Sequence, residues 1–251
     1  STRQSTLFPY TTLFRSRCRA LCLATTDPSV APRARLRLGV LLGAAQQGPE
    51  YVQIGPTDAC NARCLFCRFH SPLFDRRRPA GRAMLDFDTW ARCIEDLIAL
   101  GTRRIDYVGI GEPLLHPRID EALRLGHGRI GQTMITNGFN LLEHAETVAR
   151  TLDRITVSLN AATEETHAKV EGCRPGMFTR VLAGVSAVRQ CAPAAEILVS
   201  FVVNKLNFRE LPLLVDVCRQ LGAKAVLSPV GTYRETEVDL GLGPAELAQL
   251  A

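Results

Sequence analysis

The sequence predicts an α/β protein built on a parallel sheet. From Tyr51 onward, short apolar runs that fit β-strands alternate with longer stretches of helical periodicity, which is typical of βαβ units. Six such repeats fit either a doubly wound open sheet or an incomplete (β/α) barrel, and both place ligand sites at the carboxyl ends of the strands. With 251 residues, 46% of them hydrophobic, the chain is long enough for one sizeable domain.

The predicted strands and helices follow one another in regular alternation. Asp88 is predicted to cap the first helix, in which Trp90, Ile94 and Leu97 share one face, and Gly101 is predicted to end it. Strands are predicted at 51–55, 104–110, 131–136, 154–160, 196–204 and 223–228. Further helices are predicted at 117–125, 141–152, 163–171, 176–190 and 208–221, and a last one begins at Pro244.

The first 48 residues are predicted to form an irregular leader ahead of a core domain at 49–251. Residues 6–16 resemble a translated sequencing adapter, so about 16 residues at the start are left out of fold reasoning. The end of the sequence falls inside the last predicted helix, and we expect a C-terminal portion to be missing.

The charge of the chain is concentrated in the leader. Residues 1–37 contain seven arginines and one acid, Asp27, and these more than account for the formal net charge of +5. We therefore expect no nucleic-acid partner. The run Arg76–Arg78, with Arg82 near it, fits a solvated loop better than a site for an acidic substrate. No stretch approaches the roughly 20 consecutive apolar residues of a membrane span, so we expect no membrane partner either.

Three cysteines fall within eight positions, at Cys60, Cys64 and Cys67. Thiolates are soft ligands that favour zinc, copper(I) or iron–sulfur clusters. A structural zinc site has four protein ligands, and His70 would complete one with the spacing C-x3-C-x2-C-x2-H. Three cysteines alone would instead leave one iron of a [4Fe–4S] cluster without a protein ligand. The total of nine cysteines is odd, which argues against a disulfide framework and for a reducing, cytoplasmic setting.

The cysteine spacing, with the aromatic Phe66 directly before Cys67, resembles the signature of the radical S-adenosylmethionine (SAM) enzymes. That resemblance implies a partial (β/α)6 TIM-like barrel of parallel strands. It also implies a [4Fe–4S] cluster on Cys60, Cys64 and Cys67 whose fourth iron is chelated by SAM. In this family the reduced cluster cleaves SAM to methionine and a 5′-deoxyadenosyl radical, which abstracts hydrogen from a substrate.

A second stretch, Gly109-Ile110-Gly111-Glu112-Pro113, is similar to the glycine-glycine-glutamate-proline motif of the family. The motif meets the methionine amino group of SAM, and glycine there lets the backbone approach the ligand closely. Ile110 departs from the motif, since many members have glycine at that place. By itself, a strand-to-helix turn would also explain the glycines and the proline.

Polar residues after the third and fourth strands extend the resemblance. Thr136 and Asn137, before Gly138, are similar to the family's turn near SAM. Ser158 and Asn160 are predicted to share one face of their strand and occupy positions that in relatives bind the ribose hydroxyls. With Phe66 against adenine, the implied SAM-binding residues are Phe66, Gly109, Gly111, Glu112, Pro113, Thr136, Asn137, Ser158 and Asn160.

Two further residues, Asn204 and Arg174, could meet the adenine edge or the carboxylate of SAM. Many relatives have an arginine before the glycine that corresponds to Gly172, and here that residue is Glu171. This departure puts a carboxylate contact of Arg174 in doubt.

The resemblance implies a flavodoxin- or ferredoxin-like electron donor and a peptide or small-molecule substrate that the sequence does not identify. Two alternatives stay open at this point. One is a non-catalytic zinc- or iron–sulfur-binding module that uses Cys60, Cys64, Cys67 and His70. The other is an unrelated α/β barrel in which the cysteines are incidental.

Overall fold

The computed structural model describes residues 48–73, 83–231 and 239–249, together with residues 37, 40, 41 and 43. Most of the predicted leader lies outside these residues, and so do Arg76–Arg78 and Arg82. Within the described residues, no helix has the length and apolar character that crossing a membrane requires.

Six strands form one sheet in the order of the sequence, and every neighbouring pair is parallel. A doubly wound sheet reverses its strand order at a switch point, whereas a barrel adds each strand to the same side of the one before it. The observed order therefore selects the partial (β/α)6 TIM-like barrel. The strands are β1 (Tyr51–Ile54), β2 (Arg104–Tyr107), β3 (Gly131–Thr136), β4 (Arg154–Ser158), β5 (Glu196–Val203) and β6 (Lys224–Pro229).

Helices connect the strands and cover the outer face of the sheet. They are α1 (Phe87–Ala99), α2 (Ile119–Gly126), α3 (Leu141–Thr151), α4 (Glu164–Glu171), α5 (Met177–Cys191), α6 (Leu211–Leu221) and α7 (Pro244–Leu247). Short 3₁₀ helices lie at Pro113–Leu115 and Phe208–Glu210. The second of these divides the predicted helix 208–221, which becomes a 3₁₀ turn followed by α6.

The core lies between the sheet and the helices. On β2, Ile105 and Tyr107 point outward and are fully buried, and Trp90 of α1 packs edge-on against the Tyr107 ring at 5.9 Å between centroids. Alternation along a strand places the intervening residues on the inner face of the barrel. On β4, Ser158 is on this inner face, only partly buried, and pairs in register with Ser200 of β5.

The predicted cap of α1 is wrong by two residues. Asp86, not Asp88, precedes the helix, and its Oδ2 accepts a hydrogen bond from the Thr89 backbone N–H at 3.0 Å. Asp88 lies inside the first turn, where a negative charge also favours the helix dipole. An aspartate is favourable both at the cap and in the first turn, so the sequence alone does not show which of the two residues caps the helix.

The predicted second strand is too long. β2 ends at Tyr107, and the chain then turns toward the loop that follows β1, where the Glu112 backbone N–H donates to the Ala59 carbonyl at 2.8 Å. This contact draws the glycine-containing segment away from the sheet. The departure from the sheet is what brings the segment next to the cysteines.

Candidate metal centre

The three cysteines lie on the loop that leaves the carboxyl end of β1. A tight turn holds the last two together, because the Cys67 backbone N–H donates to the Cys64 carbonyl at 3.0 Å. Ser71 fixes the same turn through its hydroxyl, which donates to the Leu65 carbonyl at 2.7 Å. All three cysteines are partly buried, and none of them forms a disulfide. The sequence therefore places three thiols on one loop at the carboxyl edge of the barrel.

The thiols lie close enough to affect one another. Burial, with smaller contributions from Glu112, Cys67 and Glu171, raises the pKa of Cys60 to about 11. Burial also raises the pKa of Cys64, and the charges of Glu171, Cys67 and Cys60 add to the effect. Thiols of this kind keep their protons at neutral pH until a metal displaces them, so metal uptake releases protons.

The fourth ligand of the zinc alternative is engaged elsewhere. The His70 ring Nε2 lies 3.2 Å from the Ile110 carbonyl oxygen, while the His70 backbone N–H approaches the Cys67 sulfur at 3.4 Å. In the described part of the chain, no three His, Cys, Asp or Glu side chains are arranged to hold a single metal ion. Cysteines that each bind a different iron of a cluster do not have to converge on one ion. The donor set therefore fits a [4Fe–4S] cluster with an open iron better than a closed zinc site.

The C-terminal end of α4 holds the backbone of the cysteine loop. The Arg63 backbone N–H donates to the Glu171 carbonyl at 2.8 Å, and Leu65 donates to Val170 at 2.9 Å. Gly172 ends the helix with a left-handed φ of 57°, and a Cβ there would lie 2.5 Å from the Arg63 carbonyl oxygen. Only glycine combines this φ with so close an approach.

The side chain of Glu171 is completely buried beside a predicted cluster ligand. Its Oε2 lies 2.7 Å from the Cys64 sulfur, and its Oε1 accepts a hydrogen bond from the Asn160 amide at 2.7 Å. Burial raises the pKa of this carboxyl to about 7. The sequence marks Glu171 only as a departure from the family pattern, where many relatives have arginine. Burial of a glutamate in the last turn of a helix is unusual, since glutamate is mostly exposed.

The segment Gly109–Pro113 packs tightly on the start of the cysteine loop. A Cβ on Gly109 would lie 2.7 Å from the Gly55 Cα, and one on Gly111 would overlap the carbonyl oxygens of Ala59 and Thr57. Ile110 between them is 40% exposed, so its side chain points away from this contact. The departure from the family motif at Ile110 therefore leaves the packing of both glycines intact.

Glu112 joins the ends of β2 and β3. The carboxylate is buried and accepts three hydrogen bonds, from the Thr136 hydroxyl at 2.6 Å, the Asn137 backbone N–H at 2.7 Å and the Leu114 backbone N–H at 3.0 Å. Its burial raises its pKa. Pro113 begins the short 3₁₀ helix that follows. Three of the predicted SAM-binding residues, Glu112, Thr136 and Asn137, thus form one hydrogen-bonded unit.

Asn137 links this unit to the cysteine loop. Its amide nitrogen donates to the Asn61 side chain at 2.7 Å and lies 3.9 Å from the Cys60 sulfur. Phe66, the predicted adenine contact, is partly buried on the same loop. The structure therefore brings the first three groups of predicted site residues, which follow β1, β2 and β3, into contact with one another.

The prediction that Asn160 continues the inner face of β4 is wrong. β4 ends at Ser158, and Asn160 has a left-handed φ of 53°, so strand alternation does not reach it. Its amide is used within the protein, since Oδ1 accepts from the Val202 backbone N–H at 2.7 Å while Nδ2 donates to Glu171. Ser158 has no side-chain hydrogen-bond partner among the described residues, and a ribose contact there stays a prediction.

Asn204 is also engaged in a structural role. Its Nδ2 donates to the Val202 carbonyl and its Oδ1 accepts from the Leu206 backbone N–H, both at 2.9 Å, which shapes the turn after β5. Arg174 is exposed and lines a cavity of about 510 Å³ beside the cysteine loop. Arg63 and Arg180 line the same cavity, and the Arg180 guanidinium is paired with Glu143.

Comparisons with known proteins agree with this geometry. A family model for the radical SAM superfamily matches residues 54–216. A GTP 3',8-cyclase of Marinobacter nauticus is 31% identical over 174 residues, which is 68% of this chain and 51% of that protein. An AdoMet-dependent heme synthase of Methanosarcina barkeri is 30% identical over 212 residues, which is 82% of this chain and 58% of that protein. The chain spans about half the length of the curated relatives it matches.

Solved structures share the fold at low sequence identity. One, described as native anSMEcpe with bound AdoMet, aligns with a TM-score of 0.62 at 17% identity over 79% of this chain and 57% of that one. Another, TYW1 with a lysine-pyruvate adduct bound, aligns with a TM-score of 0.54 at 13% identity over 96% of this chain and 86% of that one. With its three-cysteine loop at the carboxyl edge of a six-stranded parallel barrel, this chain belongs to the radical SAM superfamily, whose cofactors are a [4Fe–4S] cluster and SAM.

Proposed function

We propose that this chain carries the core of an enzyme that cleaves SAM reductively and uses the resulting 5′-deoxyadenosyl radical to abstract hydrogen from a substrate. The observation that supports this most directly is the contact between the cysteine loop and the Glu112–Thr136–Asn137 unit. Three thiols and the polar ends of β2 and β3 meet at one edge of the barrel, where barrel enzymes carry out their chemistry.

Each group of residues has a distinct part in the proposed site. Cys60, Cys64 and Cys67 would hold three irons of the cluster, which leaves one iron open for SAM. When bound and reduced, the cluster supplies the electron that breaks the sulfonium bond of SAM. The backbone around Gly111 and Glu112 would receive the methionine amino group, because glycine allows close approach and backbone carbonyl oxygens suit an ammonium group.

The remaining predicted contacts orient the nucleoside. The Ser158 hydroxyl would bind a ribose hydroxyl, and Phe66 would lie against adenine. The buried carboxyl of Glu112 acts at one step removed, because its three hydrogen bonds to Leu114, Thr136 and Asn137 hold the loops in which the contacts lie. These residues bind, orient and shield, while the cofactors carry the electron transfer.

The direct test is product formation by the anaerobically reconstituted full chain. Iron, sulfide, dithionite and SAM should together yield 5′-deoxyadenosine and methionine, which chromatography with mass detection quantifies. Zinc at about one per chain without iron would support the binding-module alternative instead. A sample that takes up no iron and shows no absorbance at about 400 nm, the thiolate-to-iron region, would support an unrelated barrel.

For the substrate, we propose a cofactor precursor or a peptide. The names of the two curated relatives, a GTP cyclase and a heme synthase, describe small-molecule chemistry and favour the first of these classes. Incubation of the active enzyme with candidate substrates should increase the yield of 5′-deoxyadenosine for the true class. If no candidate of either class increases the yield of 5′-deoxyadenosine, the result contradicts both proposed substrate classes.

We further propose that an acidic, flavodoxin- or ferredoxin-like protein donates the electron beside the cysteine loop. Arg63, the residue before Cys64, shares its cavity with the exposed Arg174, and opposite charges across an interface accelerate association. Arg63→Glu should therefore slow cluster reduction by a reduced flavodoxin about tenfold at low ionic strength. Stopped-flow absorbance measures this rate, and the difference should shrink as salt is added.

Two controls separate docking from damage to the site. Arg92→Glu reverses an exposed charge on α1 and should leave the flavodoxin rate unchanged. Reduction of Arg63→Glu by dithionite should also equal that of the unaltered protein, because dithionite needs no docking surface. If flavodoxin reduced Arg63→Glu as fast as the unaltered protein, the proposed docking site would be contradicted. The same conclusion would follow if Arg63→Glu slowed reduction by dithionite as much as reduction by flavodoxin.

A further inference from the structure

Glu171 makes two side-chain contacts in opposite directions. One carboxyl oxygen lies 2.7 Å from the sulfur of Cys64, and the other accepts a hydrogen bond from Asn160 at 2.7 Å. The residue is wholly buried, so no water competes with either contact. A buried carboxyl group is costly unless its hydrogen bonds are satisfied, and here both oxygens are used.

The contacts continue from Asn160 to β5. The Asn160 Oδ1 accepts from the Val202 backbone N–H at 2.7 Å, and the Asn160 carbonyl accepts from the Asn207 amide at 2.8 Å. Asn160 itself has a φ of 53°, a left-handed conformation that asparagine tolerates better than most residues. A chain of hydrogen bonds therefore runs from Cys64 through Glu171 and Asn160 to Val202, across the carboxyl end of β4.

We infer that Glu171 is a positioning residue that fixes Cys64 and ties it to the end of β4. This inference rests on the proposed function, because Cys64 and Ser158 have their roles only if the cluster and SAM bind here. Ser158 is the last residue of β4, two positions before Asn160. Through Asn160, the same carboxyl that orients the cluster ligand also holds the strand end that would receive the ribose. Residues that hydrogen-bond to metal ligands commonly orient those ligands and adjust the properties of the metal.

Two properties should therefore change together when Glu171 is replaced. The first is the reduction potential. The Cys64 thiol donates to Glu171 in the metal-free chain, so when Cys64 binds iron as a thiolate the proton would pass to the carboxyl, which then donates to the sulfur. Hydrogen bonds to the sulfur ligands help to set the potential of an iron–sulfur cluster. The second is SAM affinity, because the β4 end loses its tie to the loop. A residue that served only the stability of α4 would alter neither property in the folded, loaded protein.

The main variant is Glu171→Met, which keeps the length and volume of the side chain while removing both contacts. After anaerobic loading to equal iron content, the ratio of reduced to oxidised cluster at a fixed potential should fall about tenfold, which corresponds to about 59 mV for one electron. Redox titration followed by electron paramagnetic resonance measures this, and the resonance of the SAM-bound reduced cluster should also shift. SAM affinity should fall several-fold in equilibrium binding.

Rescue and control variants test whether the effect belongs to these contacts. Glu171→Gln offers an N–H to the sulfur and an oxygen to Asn160. Its ratio of reduced to oxidised cluster at the fixed potential and its SAM affinity should therefore both return to within twofold of the unaltered protein. Glu164→Met makes the same substitution on the same helix, where the carboxylate instead accepts from the Gly176 backbone N–H at 2.7 Å. It should leave the potential and the resonance unchanged.

Asn160→Ala breaks the second link without touching the Cys64 contact. It should lower SAM affinity, and the double variant with Glu171→Met should bind SAM no more weakly than Glu171→Met alone, because residues in one network are not additive. If Glu171→Met takes up no iron, SAM binding by Asn160→Ala decides the test. In that case Asn160→Ala must bind SAM more weakly than the unaltered protein for the inference to stand.

Several results would overturn the inference. They are an unchanged or higher potential in Glu171→Met, an equal change in Glu164→Met, additive losses of SAM affinity in the double variant, or failure of Glu171→Gln to restore either property. A failure of the proposed function would look different, because the unaltered protein itself would then neither load a cluster nor cleave SAM.

Discussion

We expect the replacement of any one of Cys60, Cys64 and Cys67 with Ala to abolish reductive SAM cleavage in the reconstituted protein. The expectation follows from the count of ligands. Each variant keeps only two of the three thiolates on the loop, so a second iron of the cluster has no protein ligand. We expect less bound iron and no 5′-deoxyadenosine above background. Iron analysis and product quantification on the same sample measure both.

The control for this series is Cys191→Ala. Cys191 is exposed at the C-terminal end of α5, outside the cysteine loop, so its removal should change neither iron content nor product yield. Full cleavage activity in all three loop variants would contradict the assignment of the cluster to these cysteines. Equal losses in Cys191→Ala would show that the effect reflects general damage to the protein.

Gly111→Ala should lower SAM affinity at least about tenfold while leaving the cysteines in place. The new Cβ would overlap the Ala59 and Thr57 carbonyl oxygens at the start of the loop, and backbone atoms cannot move aside as a flexible side chain can. Overpacking of this kind costs about 1–3 kcal/mol or more. We expect a lower melting temperature and at least about a tenfold loss of SAM affinity, since tenfold corresponds to about 1.4 kcal/mol.

Ile110→Ala is the matched control in the same segment. The Ile110 side chain is 40% exposed and lies outside the packed contact, so its shortening should change SAM affinity less than twofold. Equilibrium dialysis with labelled SAM measures both variants. Unchanged binding in Gly111→Ala would show that the segment does not form the SAM site, whatever its resemblance to the family motif.

The order and type of the strands were predictable from the sequence because each strand is a distinct apolar run. Residues 131–136 were predicted to be a strand, and β3 is Gly131–Thr136. Prediction was weaker where a strand gives way to a functional loop. β2 ends at Tyr107 because a hydrogen bond from Glu112 to Ala59 draws the chain off the sheet, and that contact joins residues far apart in sequence.

For the candidate site, too, local sequence patterns are informative and contacts between distant residues are not. The cysteine spacing and the glycines are local patterns, so the sequence alone singles out Cys60, Cys64, Cys67, Gly109 and Gly111 as candidates. The role of Glu171 could not, because its importance comes from contacts with Cys64, more than 100 residues earlier, and with Asn160. Strand alternation also failed at Asn160, where a left-handed φ ends the periodicity on which the prediction depended.

The open iron is the central claim, and electron–nuclear double resonance tests it most directly. The intact polypeptide is purified without air, loaded fully with iron and sulfide, reduced, and mixed with SAM that carries ¹⁵N in the amino group and ¹⁷O in the carboxylate. We predict that both labels couple magnetically to the reduced cluster, because SAM then binds the iron that Cys60, Cys64 and Cys67 leave open. No coupling from either label in a fully loaded sample would contradict the account.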